Sequence, residues 1–174
     1  FFKIFKFGIN IQVIFIIIIL SYSCIKFLPG NFSNDAYKKT LRLYADGYQF
    51  YEWINKTLQK DSIIISTHRS QFLSSHKVVT YELRLYIDDD IQRIKALEMY
   101  NSNNPTHIVY TGNELNDQKD FLQNCRGKLV HFKKDVGKIN FRNPFNDKNE
   151  KYDGYIFNYD KNKVLECIKI LRNK

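Results

Sequence analysis

The feature that most constrains this chain is an apolar stretch near its start, from Ile9 to Leu28. The run from Val13 to Leu20 contains no polar residue, and the three lysines of residues 1–28 lie near the two ends of that segment. About 20 apolar residues in a helix cross a bilayer core of about 30 Å. Pro29-Gly30 then ends the helix. The sequence therefore predicts a transmembrane helix over residues 1–29.

Two other interpretations of this stretch stay open. A cleaved signal peptide fits the basic start and the apolar middle, but Ser21-Tyr22-Ser23-Cys24 is a poor small-x-small cleavage site. A lipoprotein-type site before Cys24 would need small residues ahead of it, and Tyr22 is bulky. A buried core helix is rarely rich in isoleucine on every face. A membrane span is the interpretation that fits all of these residues.

The ends of the chain bear on its organisation. It has 174 residues, which suffices for one ordinary domain and a short extra element. Because it begins with Phe1 and its only methionine is Met99, we expect it to be the C-terminal piece of a longer protein. We predict three parts: the transmembrane helix, a connector over residues 30–45, and a soluble α/β domain over residues 46–174.

Beyond the connector, short β-branched runs alternate with segments of helical periodicity. The predicted strands cover residues 62–66, 106–112, 127–132 and 155–159, and residues 77–87 fit either a strand or a helix. The predicted helices cover residues 46–59, 88–101, 114–124 and 163–171, with a loop at 140–146. Strands separated by helices indicate an α/β layer. We therefore predict a small soluble α/β domain with a mainly parallel sheet of about four strands.

The net charge of the chain is +9, of which residues 1–30 contribute +3 through their three lysines. An excess of basic over acidic residues, together with many Phe and Tyr residues, could attract phosphate groups, anionic lipid or nucleic acid. The lysines are scattered along the chain, however, as at Lys38-Lys39 and Lys133-Lys134. We therefore favour an ordinary solvated surface, predict no nucleic-acid partner, and expect membrane lipid as a partner.

One short polar run carries the candidate ligand site. Thr67-His68-Arg69 follows the predicted strand 62–66, and ligands bind outside the carboxyl ends of parallel strands. His68 and Arg69 at that edge could meet an anionic group. His107 would open its own strand at the opposite edge, where a structural hydrogen bond is the expected role.

The sequence predicts no metal, no cofactor and no catalytic residue. Asp88-Asp89-Asp90 could bind a divalent cation, but acids before a helix are favoured as caps, and capping is the interpretation we prefer. The four histidines lack the spacing of a zinc site. GxGxxG, P-loop and GxSxG motifs are all missing from the sequence.

Cys125 and Cys167 have two interpretations that depend on the compartment. In an oxidising compartment they could form a disulfide, and in the cytosol they would be small buried residues. The lysines flanking the apolar stretch do not decide between these compartments, because long domains cross a membrane largely regardless of charge.

The order of these features is similar to the C-terminal region of polytopic GT-C-type glycosyltransferases, the mannosyl- and aminoarabinose-transferase-like membrane enzymes of bacteria. The resemblance covers most of residues 9–171. It is carried by the last apolar stretch and by three segments: Tyr44 to Asn55, Asp61 to Ser66, and Thr106 to Tyr110. Arg142-Asn143-Pro144-Phe145 looks like a family-specific loop without an assigned role.

The resemblance implies a transferase of the bacterial inner membrane that acts on a lipid-linked sugar donor. The chain would supply the last membrane span and an extracytoplasmic accessory domain. Its partners would be a polyprenyl-phosphate-linked sugar and a glycan acceptor. The catalytic acids of such enzymes lie in an early loop that this chain does not contain, so the resemblance assigns no catalytic residue here.

Two rival hypotheses remain. The chain could be a single-span, membrane-anchored binding or sensor module. It could also be a small enzyme acting on phosphorylated ligands near His68 and Arg69. Many further apolar spans before Phe1 would favour the transferase, whereas a start codon just before Phe1 would favour the module.

Overall fold

The computed structural model describes residues 2–28, 32–80, 89–112, 125–139 and 150–173. The chain divides into two compact units, Phe1–Ala45 and Asp46–Lys174. The helices are α1 (Phe2–Phe27), α2 (Asn34–Tyr44), α3 (Tyr48–Thr57), α4 (Asp90–Ser102) and α5 (Lys161–Arg172). The strands are β1 (Ile63–Ile65), β2 (Lys77–Val79), β3 (His107–Thr111), β4 (Leu129–Ile139) and β5 (Glu150–Asn158).

The first unit contains α1 and α2. The apolar stretch does form a helix, α1, as predicted. Within the described residues, however, no helix combines the length and the apolarity that crossing a membrane requires, so the predicted transmembrane helix is not found. The connector predicted over residues 30–45 is largely helical, because Ser33 caps α2 by accepting a hydrogen bond from the Ala36 N–H at 3.1 Å.

The second unit is built around a five-stranded sheet of order β2-β1-β3-β5-β4. Strand β1 pairs in parallel with β2 and β3, whereas β5 is antiparallel to both β3 and β4. The predicted mainly parallel sheet of about four strands is therefore wrong: the sheet is mixed. Only residues 140–149 connect β4 to β5. Antiparallel strands can be joined by such a short connection, whereas a parallel pair needs a longer crossover.

The sheet is covered on both faces. Ile65, Ile108, Tyr110 and Phe157 point to one face, in a cluster with residues of α4 and α5, including Leu97 and Val164. On the other face, α3 residues Phe50, Tyr51 and Ile54 pack with the strand residues Ile64, Val109 and Ile156. Because successive strand residues face opposite sides, each central strand contributes to both clusters.

Several predicted helix boundaries differ from the structure. Helix α3 begins at Tyr48 after Gly47, not at Asp46, whose side chain is engaged elsewhere. Asp89 caps α4 by accepting hydrogen bonds from the N–H groups of Ile91 and Gln92, which confirms the capping interpretation. The helix predicted at 114–124, the loop at 140–146 with Arg142-Asn143-Pro144-Phe145, and Asp88 lie outside the described residues.

Candidate functional site

The loop after β1 lies where the sequence places the candidate ligand site. Strands β1, β2 and β3 are parallel, so their carboxyl ends meet at one edge of the sheet. His68 and Arg69 follow β1 at that edge, in the loop 66–70. His107 opens β3 at the opposite edge. The structure thus brings His68 and Arg69 together and keeps His107 apart from them.

An ion pair fastens this loop to the start of α3. The Arg69 Nε atom donates to Oδ2 of Asp46 at 2.6 Å, and its Nη2 atom contacts the same oxygen. The Ser70 hydroxyl donates to the backbone carbonyl of Asp46 at 2.6 Å. The Arg69 side chain nevertheless remains 59% exposed, so solvent limits the stability that the pair contributes. Its guanidinium is accessible to an anionic ligand.

The His68 ring is held from two sides. Its Nδ1 atom accepts a hydrogen bond from the Ser70 N–H at 3.1 Å, and the ring lies 6.0 Å from the rings of Phe50 and Tyr51. These contacts fix the orientation of the imidazole. The exposed guanidinium of Arg69 supplies positive charge to the same loop.

Gly47 allows the loop and α3 to approach closely. Its φ is +76°, and a Cβ atom there would lie 2.6 Å from His68 Cε1 and 2.8 Å from Ser70 Cβ. A side chain is disfavoured both by this backbone conformation and by the contact. The close approach explains why glycine occupies the position next to Asp46.

Replacing Gly47 by alanine is expected to lower the free energy of unfolding by about 1–3 kcal/mol and to displace the His68 ring. Urea denaturation measures the first effect, and the NMR chemical shift of the His68 Hε1 proton measures the second. Gly112→Ala is the control, because a Cβ atom there would meet its nearest neighbour at an ordinary 3.5 Å. Equal stability of the two variants would contradict the proposed close contact.

Three histidines from separate strand regions lie towards the opposite edge. His76 precedes β2, His107 opens β3, and His131 lies in β4. His76 is only 6% exposed, and neither of its ring nitrogens has a hydrogen-bond partner among the described residues. In the described part of the chain, no group of three or more His, Cys, Asp or Glu residues could hold a metal ion. Sequence reasoning missed this grouping because the three histidines are far apart along the chain.

The environment of His107 makes this edge sensitive to acid. Burial lowers the pKa of His107 below its ordinary 6.5, and the nearby His131 and His76 lower it further through charge repulsion. The unfolded chain therefore binds more protons than the folded one as the pH falls through about 6.5. Stability contributed by a neutral His107 is present above that pH and is lost below it.

We expect the free energy of unfolding to fall between about pH 7.5 and pH 5.5, and to fall less in a His107→Gln variant. The substitution removes one group whose protonation the folded state opposes. Urea denaturation of both proteins at the two pH values measures the difference. An identical pH dependence in the two proteins would show that His107 does not contribute.

A disulfide joins Cys125, just before β4, to Cys167 in α5. The two Cα atoms lie 6.0 Å apart, and the cysteines are separated by 42 positions in the sequence. Cys24 in α1 is the unpaired cysteine of the described residues and is exposed. The bond therefore ties the start of the edge strand to the last helix.

Residues 42–171 match the family model of the DUF1420 C-terminal domain. The chain belongs to this family. The DUF1420 C-terminal domain here includes all five strands, the loop after β1 and the disulfide. No curated protein and no solved structure matches the chain. The family match names no glycosyltransferase and does not conflict with one, and the ligand role of His68 and Arg69 stays a prediction.

Proposed function

We propose that this chain is the extracytoplasmic accessory region of a membrane glycosyltransferase that uses a lipid-linked sugar donor. The observation that carries its placement is the Cys125–Cys167 disulfide. Disulfides persist in oxidising compartments outside the cytoplasm and are rare within it. The order of motifs, which resembles GT-C-type enzymes, is the support for the transferase itself.

The exposed surface of α1 supports a position at the membrane. Each side chain from Val13 to Leu20 is apolar and between 48 and 62% exposed. Eight consecutive residues make more than two helical turns, so they cover every face of the helix. Exposure of such an apolar surface to water is energetically unfavourable. An exposed apolar surface of this size marks an interaction site. We propose that lipid covers this part of α1.

An accessory role is consistent with the loop after β1. Arg69 and Ser70 hold the loop to Asp46, and the His68 ring accepts a hydrogen bond from the Ser70 N–H within the loop. Arg69 still presents an exposed positive charge. We propose that the loop faces the phosphate of a polyprenyl-phosphate-linked sugar or an acidic glycan acceptor, and that the rest of the enzyme performs the transfer.

Arg69→Ala is expected to weaken the binding of a short-chain, water-soluble polyprenyl phosphate by about tenfold, as loss of one charge-assisted hydrogen bond would. Titration calorimetry with the whole chain measures this. Arg172→Ala is a matched control, since Arg172 is 60% exposed and its Nη2 atom pairs with Glu98. An equal loss of binding affinity in both variants would show that the ligand responds only to the net charge of the protein, and would contradict a site at Arg69.

The sidedness of the domain tests its placement. Cells expressing the full-length protein with Cys24→Ser and with exposed Lys163 replaced by cysteine are treated with a membrane-impermeant maleimide, and the Cys24→Ser protein without the new cysteine is the control. Labelling of intact spheroplasts is expected, because the domain would face outwards. Labelling that needs cell lysis would place the domain in the cytoplasm and contradict the proposal.

A binding or sensor module anchored at the membrane is the second candidate. Its ligand would meet the exposed positive charge of Arg69 in the loop after β1. The two candidates differ in activity, because a module would bind a ligand without any sugar transfer by the full-length protein. Sugar transfer measured on the full-length protein therefore separates them.

A further inference from the structure

A short 3₁₀ turn, Gln71–Leu73, continues the loop after β1. The backbone N–H groups of Gln71, Leu73 and Ser74 each donate to the carbonyl three residues earlier, at 2.9 to 3.1 Å. Side chains three residues apart in such a turn lie on the same side of it. Arg69 and Phe72 therefore share one side of the turn, and the two residues that follow them share another.

The two sides of the turn differ in burial. On the inner side, Ser70 is buried, and Leu73 packs against the cluster that α3 forms with the sheet. On the outer side, the Arg69 side chain is 59% exposed and Phe72 is 79% exposed. The inner side thus holds the turn to the domain, and the outer side carries an arginine and a phenylalanine next to each other.

Hydrogen bonds fasten the turn at both ends. The Ser70 hydroxyl donates to the Asp46 carbonyl at 2.6 Å, just before α3. At the other end, Nδ2 of Asn55 in α3 donates to the Leu73 carbonyl at 3.2 Å, and Oδ1 of the same side chain accepts from the Ser75 N–H at 2.9 Å. A ring carried by a backbone that is already ordered costs less conformational entropy when a ligand contacts it.

The chemistry of the outer side indicates what it could bind. Single exposed apolar residues are common on protein surfaces, so Phe72 is informative only through its place beside Arg69, at the carboxyl edge of the parallel strands. A guanidinium forms charge-assisted hydrogen bonds with phosphate. A phenyl ring has no polar atom and gains free energy by covering apolar surface. Inorganic phosphate, or a phosphate ester of a strongly hydrated group, would therefore engage the arginine alone.

We propose that Phe72 is a second ligand contact beside Arg69, and that the two select phosphate esters of apolar alcohols. Arg69 binds the phosphate, and Phe72 covers the first apolar carbons next to it. The inference rests on the proposed function, which places a phosphate at Arg69. It deepens that function by favouring the prenyl phosphate over the acidic glycan as the ligand of this loop.

Two phosphate monoesters of equal charge test this selection. Dimethylallyl phosphate carries an apolar substituent, and glycerol 1-phosphate carries a polar one. Titration calorimetry with the whole chain in a neutral detergent measures both dissociation constants. We expect dimethylallyl phosphate to bind about fivefold more tightly, because the ring covers part of its hydrocarbon. Phe72→Ala should make the two dissociation constants equal, whereas Phe72→Leu should keep most of the difference.

Phe132→Ala is the matched control, because Phe132 is another exposed phenylalanine of the same unit and lies in β4. It should leave the preference unchanged, and Arg69→Ala should weaken the binding of both esters alike. A preference that survives Phe72→Ala would overturn the inference, and so would equal affinities in the parent protein, while the site at Arg69 would remain. Unchanged binding of both esters by Arg69→Ala would instead contradict the proposed function.

The reactivity of position 72 tests whether a ligand can reach it. The whole chain carrying Cys24→Ser and Phe72→Cys is treated with a maleimide, to which the disulfide-bonded Cys125 and Cys167 do not react. We expect labelling as rapid as that of a cysteine at exposed Lys163, and slower labelling when dimethylallyl phosphate is added. Slow labelling without ligand would show that another part of the chain or a second copy covers this position, and would overturn the inference.

Discussion

Replacing Cys125 and Cys167 together by serine is expected to lower the free energy of unfolding by about 2–5 kcal/mol. The disulfide closes a segment of 42 positions and holds α5 to the start of β4. Without it, the unfolded chain gains conformational freedom, and this gain stabilises the unfolded state. Urea denaturation of the oxidised protein and of the double variant measures the difference.

The control for this prediction is Cys24→Ser, which removes an exposed cysteine that makes no disulfide. Its unfolding midpoint should equal that of the parent protein. Adding a reductant to the parent protein should reproduce the loss seen in the double variant. If the double variant and the parent unfold at the same urea concentration, the bond does not stabilise the domain, and the argument for an oxidising compartment loses its support.

Replacing Ile156 by alanine is expected to lower the free energy of unfolding by about 2–5 kcal/mol, through loss of buried apolar area and creation of a cavity. Ile156 is fully buried in β5, where it pairs with Val109 of β3 and His131 of β4 and packs in the cluster with α3. The effect should be this large only if β5 is a central strand of the mixed sheet.

Ile170→Ala provides the matched control, because Ile170 lies in α5 and is 56% exposed. Its free energy of unfolding should stay within about 0.5 kcal/mol of the parent. Urea denaturation, followed by both tryptophan fluorescence and circular dichroism, measures the free energy of unfolding of the two variants. Similar losses of stability on substitution at positions 156 and 170 would contradict the burial of β5 between β3 and β4.

Buried β-branched runs explain what sequence alone could predict. Strands β1 and β3 lie close to their predicted positions because both faces of these strands are covered, which leaves continuous apolar runs. The direction of β5 could not be predicted, since pairing direction depends on tertiary contacts. Strand β4 extends beyond its predicted end through Lys133-Lys134-Asp135, because an edge strand tolerates exposed charges that resemble a loop in sequence.

Only part of the candidate site could be predicted, because sequence indicates local elements and not contacts between distant residues. His68 and Arg69 could be placed at a carboxyl edge from the strand that precedes them. Their partner Asp46 could not, because it lies 23 positions away from Arg69 and was predicted to begin a helix. Helix α2 was interpreted as a connector, since its basic residues and the preceding Pro29-Gly30 concealed its apolar spacing.

The central claim is that the chain assists a glycosyltransferase without performing the transfer itself. The most direct test measures radiolabelled sugar transfer from a polyprenyl-phosphate-linked donor to envelope glycan. Membranes with the full-length protein are compared with purified residues 32–174, whose folding is checked by circular dichroism. We expect transfer by the full-length protein and none by the folded fragment. Sugar transfer by the folded fragment would contradict this claim. A lack of sugar transfer by membranes that contain the full-length protein would contradict it as well.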